Sequence, residues 1–489
     1  MSLPKGEGAA FAFTKEAFAM KSLCLALLCS VATLVPLAVV ADDLPPLEVP
    51  RTAGLPYGVK SIPDRIVLTP GANPAVEMAV SFRTDSLQRT AQAQIAVAVD
   101  GPTLEEKAQT VTGTTTYFPS SNGLAHYQQV RFTGLTPDTV YAYRVKGSAG
   151  WSEWHQFKTA KTTPEPFRFM YLGDTQNGIL TFASRVIRQG FHEGKVDLVV
   201  HAGDLAAQRD NLDHDDEWGE WTQAGGYNYS MVPQIPATGN HEYADLILPD
   251  GIESRRLGPY WQVQFALPAN GAPGVEKTSY FVDYQGARFI VLDGTAALDL
   301  GQLQSQTQWL DKTLTDSKAN WNFVLFHQPI FTCARPNDTE VLKAAWKPVF
   351  DKHKVDLVLQ GHDHCYSRLS SEVGRAAGIT ARKGGKAQGP VYLVSVTGSK
   401  MYGLNNRSGT QPDKVAEATE LYQIIDVDGA RLKLRSYTAS GKLYDGFDLE
   451  RRKDGTNRLL ELKEPMLATR KCIGAVGPDG GACVADPKD

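Results

Sequence analysis

From residue 65 to residue 158 apolar and polar positions alternate in short segments, at 65–68, 77–82, 94–99, 126–132 and 140–145, with turn residues between them. A period of two belongs to strands with one face buried. Several such strands at this spacing, without helical periodicity, predict an antiparallel β-sandwich. After residue 165 the pattern changes. Continuous apolar runs at 167–172, 196–200, 289–292, 322–326, 355–359 and 391–396 alternate with stretches at 181–191, 302–314 and 340–353 that repeat every three or four residues. Buried strands interleaved with amphipathic helices predict an α/β domain. Two more alternating segments, 421–427 and 431–437, flank an Asp428-Gly429 turn and predict a closing antiparallel hairpin. Beyond Glu450 the chain is polar and carries no clear pattern.

Composition narrows the class. With 489 residues, 42% hydrophobic and 21% charged, the chain suits two globular domains with sizeable cores. A net charge of −4 gives no electrostatic reason for nucleic acid as a partner. Near the N-terminus Met20-Lys21 precedes an apolar run from 23 to 40, with Val39 and Ala41 placed for cleavage before Asp42-Asp43. Residues 1–41 therefore read as an upstream extension plus a secretory signal, and the mature chain as exported, periplasmic or secreted. An uncleaved anchor is the alternative, because the run is about long enough to span a bilayer. No later run is, so no transmembrane span is expected after cleavage. Residues 42–60 read as a Pro-rich linker. Four cysteines remain past the signal, and an even number in an exported chain suggests disulfides, with free buried thiols as the alternative. Cys472 and Cys483 would close a Gly-rich loop.

The candidate chemistry lies where apolar runs stop. Gly173-Asp174, Gly203-Asp204, Gly239-Asn240-His241-Glu242, a lone His327, and Gly361-His362-Asp363-His364 follow in that order. Open α/β sheets place ligands at the C-terminal ends of their strands. Carboxylate, amide and imidazole side chains together suit hard or borderline divalent metals. This ordered set resembles the calcineurin-like metallophosphoesterases, from about 167 to 450. The segment 134–141, Gly-Leu-Thr-Pro-Asp-Thr-Val-Tyr, is similar to the tyrosine corner of a fibronectin type III domain. Residues 61–160 resemble the domain that precedes the catalytic one in purple acid phosphatases, with Phe82 where those usually carry a core Trp. The resemblance implies a fibronectin type III-like sandwich (61–160), a four-layer α/β/β/α metallophosphoesterase domain (166–450) and a C-terminal tail (451–489) with a disulfide.

It also implies a ligand set for two divalent or mixed-valence metal ions. Asp174 and His364 would serve one, Asn240, His327 and His362 the other, and Asp204 would bridge them. His241 matches the family's proton-donating histidine, with a supporting hydrogen bond to a carboxylate as its other reading. Gln176 stands where relatives place a ligand histidine, and reads either as a weak neutral ligand or as a hydrogen-bonding partner of the attacking water. Glu242 and Asp363 read as supporting or surface residues. Ala207 stands where the purple enzymes carry the Tyr that colours their ferric iron, so no purple colour is expected, and Fe, Mn, Zn and Co are all open. If His327 and His364 reach one site, Cys333 and Cys365 come close enough to bond. The implied activity is hydrolysis of small phosphate monoesters, of the acid phosphatase type, by water that the metals activate. Phosphodiester hydrolysis is the runner-up, and an inactive binding protein the reading from another class. Arg209 reads as a substrate grip or a surface ion pair, and Trp218, Trp221, Tyr227 and Tyr229 as a pocket or as loop packing. Oligomeric state leaves no trace in the sequence.

Overall fold

The computed structural model describes residues 56–208, 213–248, 251–370, 390–405 and 412–483. The expected leader, most of the linker, Arg209 and the Gly-rich stretch 371–389 lie outside the described residues.

The alternating N-terminal segments pair into two four-stranded antiparallel sheets. One runs Asp64–Pro70, Glu77–Asp85, Gly123–Thr133, Thr114–Ser120 in space, and the other Gln109–Thr112, Gln92–Val97, Val140–Val145, His155–Lys158. Their inward faces interleave Leu68, Met78, Val80, Phe82, Val130, Phe132, Tyr143 and Phe157. Phe82 is fully buried there, so the residue that replaces tryptophan still fills the centre of the sandwich. The Tyr141 hydroxyl accepts a hydrogen bond from the Thr136 amide at 2.9 Å, which closes the corner read from the sequence.

Two seven-stranded sheets then stack face to face. The first is ordered Gln234–Pro236, Leu198–His201, Phe167–Leu172, Leu421–Asp428, Arg431–Thr438, Leu443–Arg451, Asn457–Glu461, with its first three strands parallel. The second is ordered Tyr280–Tyr284, Ala287–Val291, Trp321–Leu325, Leu357–Gln360, Val391–Val394, Tyr366–Leu369, Lys414–Ala416, and its middle four strands are parallel. Aromatic rings fill the space between the sheets. Phe169 of the first sheet lies 5.1 Å from Phe289 and 5.3 Å from Phe323 of the second, centroid to centroid. Alternate residues of the second sheet, Ile290, Val324 and Val358, point the other way into Leu310, Trp346 and Phe350 of the helices Leu303–Thr315 and Glu340–His353. The helix Ser184–His192 covers the first sheet so closely that a Cβ at Gly190 would sit 2.3 Å from the Met170 sulfur. The result is the expected four layers, α/β/β/α. The strand Asn457–Glu461 lies in the stretch where the sequence shows no pattern. It pairs on one side only, along Leu443–Arg451, so few of its side chains need be apolar.

The sandwich and the stacked sheets share buried contacts. Arg65 makes a bidentate pair with Asp215, both hydrogen bonds at 2.7 Å, and Arg83 reaches the same carboxylate at 3.0 Å. Asn122 donates to it as well, at 2.8 Å. Phe118 of the sandwich lies 4.6 Å from Tyr260 beyond it.

Candidate metal centre

Parallel strands from both sheets end at one place, and the sequence turns there within two or three residues. Glycines make the turns possible. A Cβ at Gly203 would meet the Gly239 nitrogen at 2.6 Å and His327 Nδ1 at 2.8 Å, and one at Gly361 would meet Asp174 Oδ2 at 2.3 Å. The residues that follow are bent too. Asp174, Asp204, His362 and His364 have φ of 25°, 50°, 72° and 48°. Non-glycine residues pay about 1–2 kcal/mol for the left-handed region and cluster there at functional sites.

The bends bring the sequence candidates together. Asp204, His327 and His362 form one group able to hold a metal ion, and Asp174, Asp204 and His364 form another, with ligand atoms in each lying within 4.8 Å of one another. Asp204 belongs to both. Its Oδ2 lies 3.0 Å from His327 Nε2 and accepts from Gln176 Nε2 at 3.0 Å, while its Oδ1 accepts from the His241 amide at 2.9 Å. That last bond wraps the Asn240-His241 turn around the shared carboxylate. His362 Nδ1 stands 3.1 Å from His327 Nε2, and His364 Nε2 lies 3.2 Å from Gln176 Nε2.

A surrounding layer fixes these groups. His327 Nδ1 donates to the Ala202 carbonyl at 2.7 Å and His364 Nδ1 to the Lys400 carbonyl at 2.9 Å, so in both rings Nε2 is turned inward. Asp174 accepts the His362 amide on both oxygens, at 2.9 and 2.8 Å. Glu242, read from sequence as supporting or surface, is wholly buried and accepts the amides of Gly239, Asp204 and Leu205 at 2.6, 2.9 and 2.8 Å. Asp363 accepts the amides of Cys333 and Ala334 and pairs with Arg335 at 2.6 Å. Neither is a surface residue, because each gathers backbone donors that would otherwise be orphaned.

Burial and charge pull the titrating groups apart. Asp174 is pushed well above the usual carboxylate range by burial and by Asp204, against the pull of His327. Burial also works against ionised Asp204, but His327 and His241 outweigh it and hold the carboxyl low. Burial would lower His327, yet Asp204 and Asp174 raise it to about 9. His362 and His364 are held neutral by burial, reinforced by Arg335 beside the first and Lys400 beside the second. Glu242 is pushed up to about 7 by burial and by Asp204. Two oxygens complete the picture: Asn240 Oδ1 and Gln176 Oε1 are buried and accept no hydrogen bond among the described residues. Buried acceptors in that state are costly unless a cation or water meets them. The donor set fits a pair of divalent ions.

Other sequence candidates fall elsewhere. Trp218, Trp221 and Tyr229 are fully buried packing residues, and Tyr227 is exposed. Cys333 bonds Cys365 and Cys472 bonds Cys483, with Cα atoms 6.3 and 5.9 Å apart, in place of free thiols. Arg335, Lys400 and Tyr402 border His362 and His364, and the sequence reading missed all three. The available signal was Gly398, which ends the 391–396 run as the other motif glycines end theirs. No helix among the described residues is long and apolar enough to cross a membrane.

Comparison with known proteins agrees with this fold. The model of the calcineurin-like phosphoesterases matches residues 167–366, and that of the purple acid phosphatase N-terminal domain matches residues 63–159. An uncharacterized protein of Mycobacterium tuberculosis (strain H37Rv) is 27% identical over 330 residues, which cover 61% of this chain and 60% of that protein. A purple acid phosphatase of Glycine max is 27% identical over 334 residues (64% and 68%), and a phosphoenolpyruvate phosphatase of Allium cepa 27% over 326 (63% and 64%). The match thus spans about 60% of the length of the first of these relatives. The solved structure of PhoD aligns with a TM-score of 0.59 at 15% identity, over 90% of this chain and 96% of that one, and so shares its fold. Residues 167–366 thus match the calcineurin-like phosphoesterases, and residues 63–159, ahead of them, match the N-terminal domain of the purple acid phosphatases.

Proposed function

We propose that the protein is an exported hydrolase of small phosphate monoesters, of the acid phosphatase type, working with two metal ions. The observation that carries this is Asp204, a carboxylate common to two separate groups of ligands. Asp174, His364 and the Gln176 carbonyl would hold one ion, and Asn240, His327 and His362 the other. Bound there, the ions supply positive charge to the phosphoryl oxygens and acidify the attacking water. The chain supplies the rest. Asp204, held low by His327 and His241, stays ionised, so it offers negative charge to both positions at once. Asn240 adds an oxygen without charge, which leaves the centre positive toward an anionic ester. His241 is anchored through its amide to Asp204, and its ring would give a proton to the departing alkoxide. The monoester reading is supported by relatives named purple acid phosphatase and phosphoenolpyruvate phosphatase. The export reading is supported by two disulfides and the signal-like 20–41 run.

Elemental analysis of the purified protein, with hydrolysis of a chromogenic monoester and the matching diester across pH, tests the proposal. Two metals per chain with monoester preference is the expected result. Diester preference would replace the substrate class, and a chain that neither binds metal nor turns over after metal is supplied would sink the reading. With Ala207 where a phenolate would stand, and its amide taken by Glu217 at 2.7 Å, the loaded protein should show no visible charge-transfer band.

A further inference from the structure

The floor of the centre is closed on most sides. Asp174, Asp204 and His327 are at most 1% exposed, and His362 stands apart among the ligand candidates as half-buried rather than buried. His362 therefore marks a side of the centre that is open to solvent. Two cations border the His362–His364 turn. Arg335 donates through one nitrogen, Nη1, to the His362 carbonyl at 3.0 Å and to Asp363 at 2.6 Å, and its side chain is 26% exposed. That leaves Nε and Nη2 of the guanidinium for another acceptor. Lys400 is half-buried, and its carbonyl holds His364. Among the described residues its ammonium has no carboxylate partner. Tyr402 is near both: its ring lies 4.8 Å from that of His364, with Arg335 Cζ at 5.8 Å and Lys400 Nζ at 5.9 Å from its centroid.

The wall is held in place from behind. The Cys333–Cys365 disulfide ties the Arg335 loop to the His364 turn, Asp363 collects the Cys333 and Ala334 amides, and Asn405 donates to the carbonyls of Cys333 and Arg335. So much bracing around two partly exposed cations suits recognition, because a preorganised charge keeps more of its attraction for a ligand.

We infer that Arg335 and Lys400, both beside Tyr402, form a subsite for a second anionic group on the leaving group, a carboxylate or another phosphate. This rests on the monoester reading above and names the substrate class for it. The metal-bound phosphoryl group would lie deeper, between the two ligand groups, and the rest of the substrate would extend past His362 to the wall.

Three aryl substrates test this in the metal-loaded full chain: phenyl phosphate, 3-carboxyphenyl phosphate and 1,3-phenylene bisphosphate. The wild type should favour one or both doubly anionic esters in kcat/KM by about tenfold, the usual worth of a hydrogen bond to a charged group. The carboxylate and bisphosphate arms show which anion is meant. In Lys400→Met, and in Arg335→Lys, which keeps a charge but loses the fork, that ratio should fall toward one, and added salt should shrink it in the wild type. Equal kcat/KM for all three in the wild type, or a ratio that survives both substitutions, overturns the subsite while leaving the phosphatase intact. Failure to hydrolyse any of the three would overturn the monoester reading and the subsite with it.

Discussion

Three backbone amides, those of Gly239, Asp204 and Leu205, converge on the Glu242 carboxylate, and what they determine is the setting of Asp204. Glu242→Ala would strand those donors in the interior and should cost about 2–4 kcal/mol, read as a lower urea midpoint of the metal-free protein, together with weaker metal uptake. Residues proposed to hold the metals should behave differently. Asp204→Ala and His362→Ala should lose metal and all measurable turnover, whereas His241→Ala should keep both ions and lose about a hundredfold or more in kcat. Elemental analysis beside kinetics separates the two classes, and turnover by Asp204→Ala would rule out a bridged centre. At this scale Asp174, Asp204, Asn240 and His362 were legible because a glycine followed by a carboxylate, amide or imidazole at the end of an apolar run is a local pattern. Arg335 and Lys400 were not. Their roles come from neighbours far along the chain, and a lone charged residue looks like any solvated one until the fold places it.

The strand Leu198–His201 shows how an element can carry a pH response without belonging to the chemistry. His201 ends it, buried against Trp221 and Tyr229, with Nε2 donating to Gln234 at 2.8 Å. Burial pushes its pKa down to about 4, and the hydrogen bond to Gln234 offsets only part of this. An unfolded histidine titrates near 6.5. Between those two values the unfolded chain takes up a proton that the folded one refuses, so stability falls as pH drops from about 6.5 to 4 and is flat above. The slope approaches about 1.4 kcal/mol per pH unit, and the total is roughly 3 kcal/mol. Urea midpoints between pH 4.5 and 7 should therefore fall less steeply in His201→Gln than in the wild type, and parallel curves would refute the assignment. Elements with strong periodicity were legible: the helix Glu340–His353 spans the residues its pattern marked, and the strand Phe167–Leu172 likewise. The strands Gln109–Thr112 and Thr114–Ser120 were not, because they are threonine-rich and mostly exposed, so no apolar alternation betrays them.

Across the whole molecule, the two-part architecture was readable from the switch in hydrophobic period near residue 165, but the way the parts join was not. Arg65 and Asp215 lie 150 positions apart, and nothing local marks either as a partner. In the fold the Asp215 carboxylate accepts from Arg65, Arg83 and Asn122, which keeps it ionised although burial opposes this. Asp215→Ala would leave two guanidinium groups buried around a lost anion and should destabilise the protein by about 3–5 kcal/mol, seen as a lower melting temperature. Asp215 opens the helix Asp215–Gly225, whose Glu217 holds the Ala207 amide three residues past Asp204. The sandwich thus bears on the catalytic loop through one rigid helix. It follows that the sandwich is no detachable appendage. A shortened gene starting near residue 166 should yield insoluble protein rather than a smaller enzyme, and in recombination between genes the two halves should be inherited as one piece.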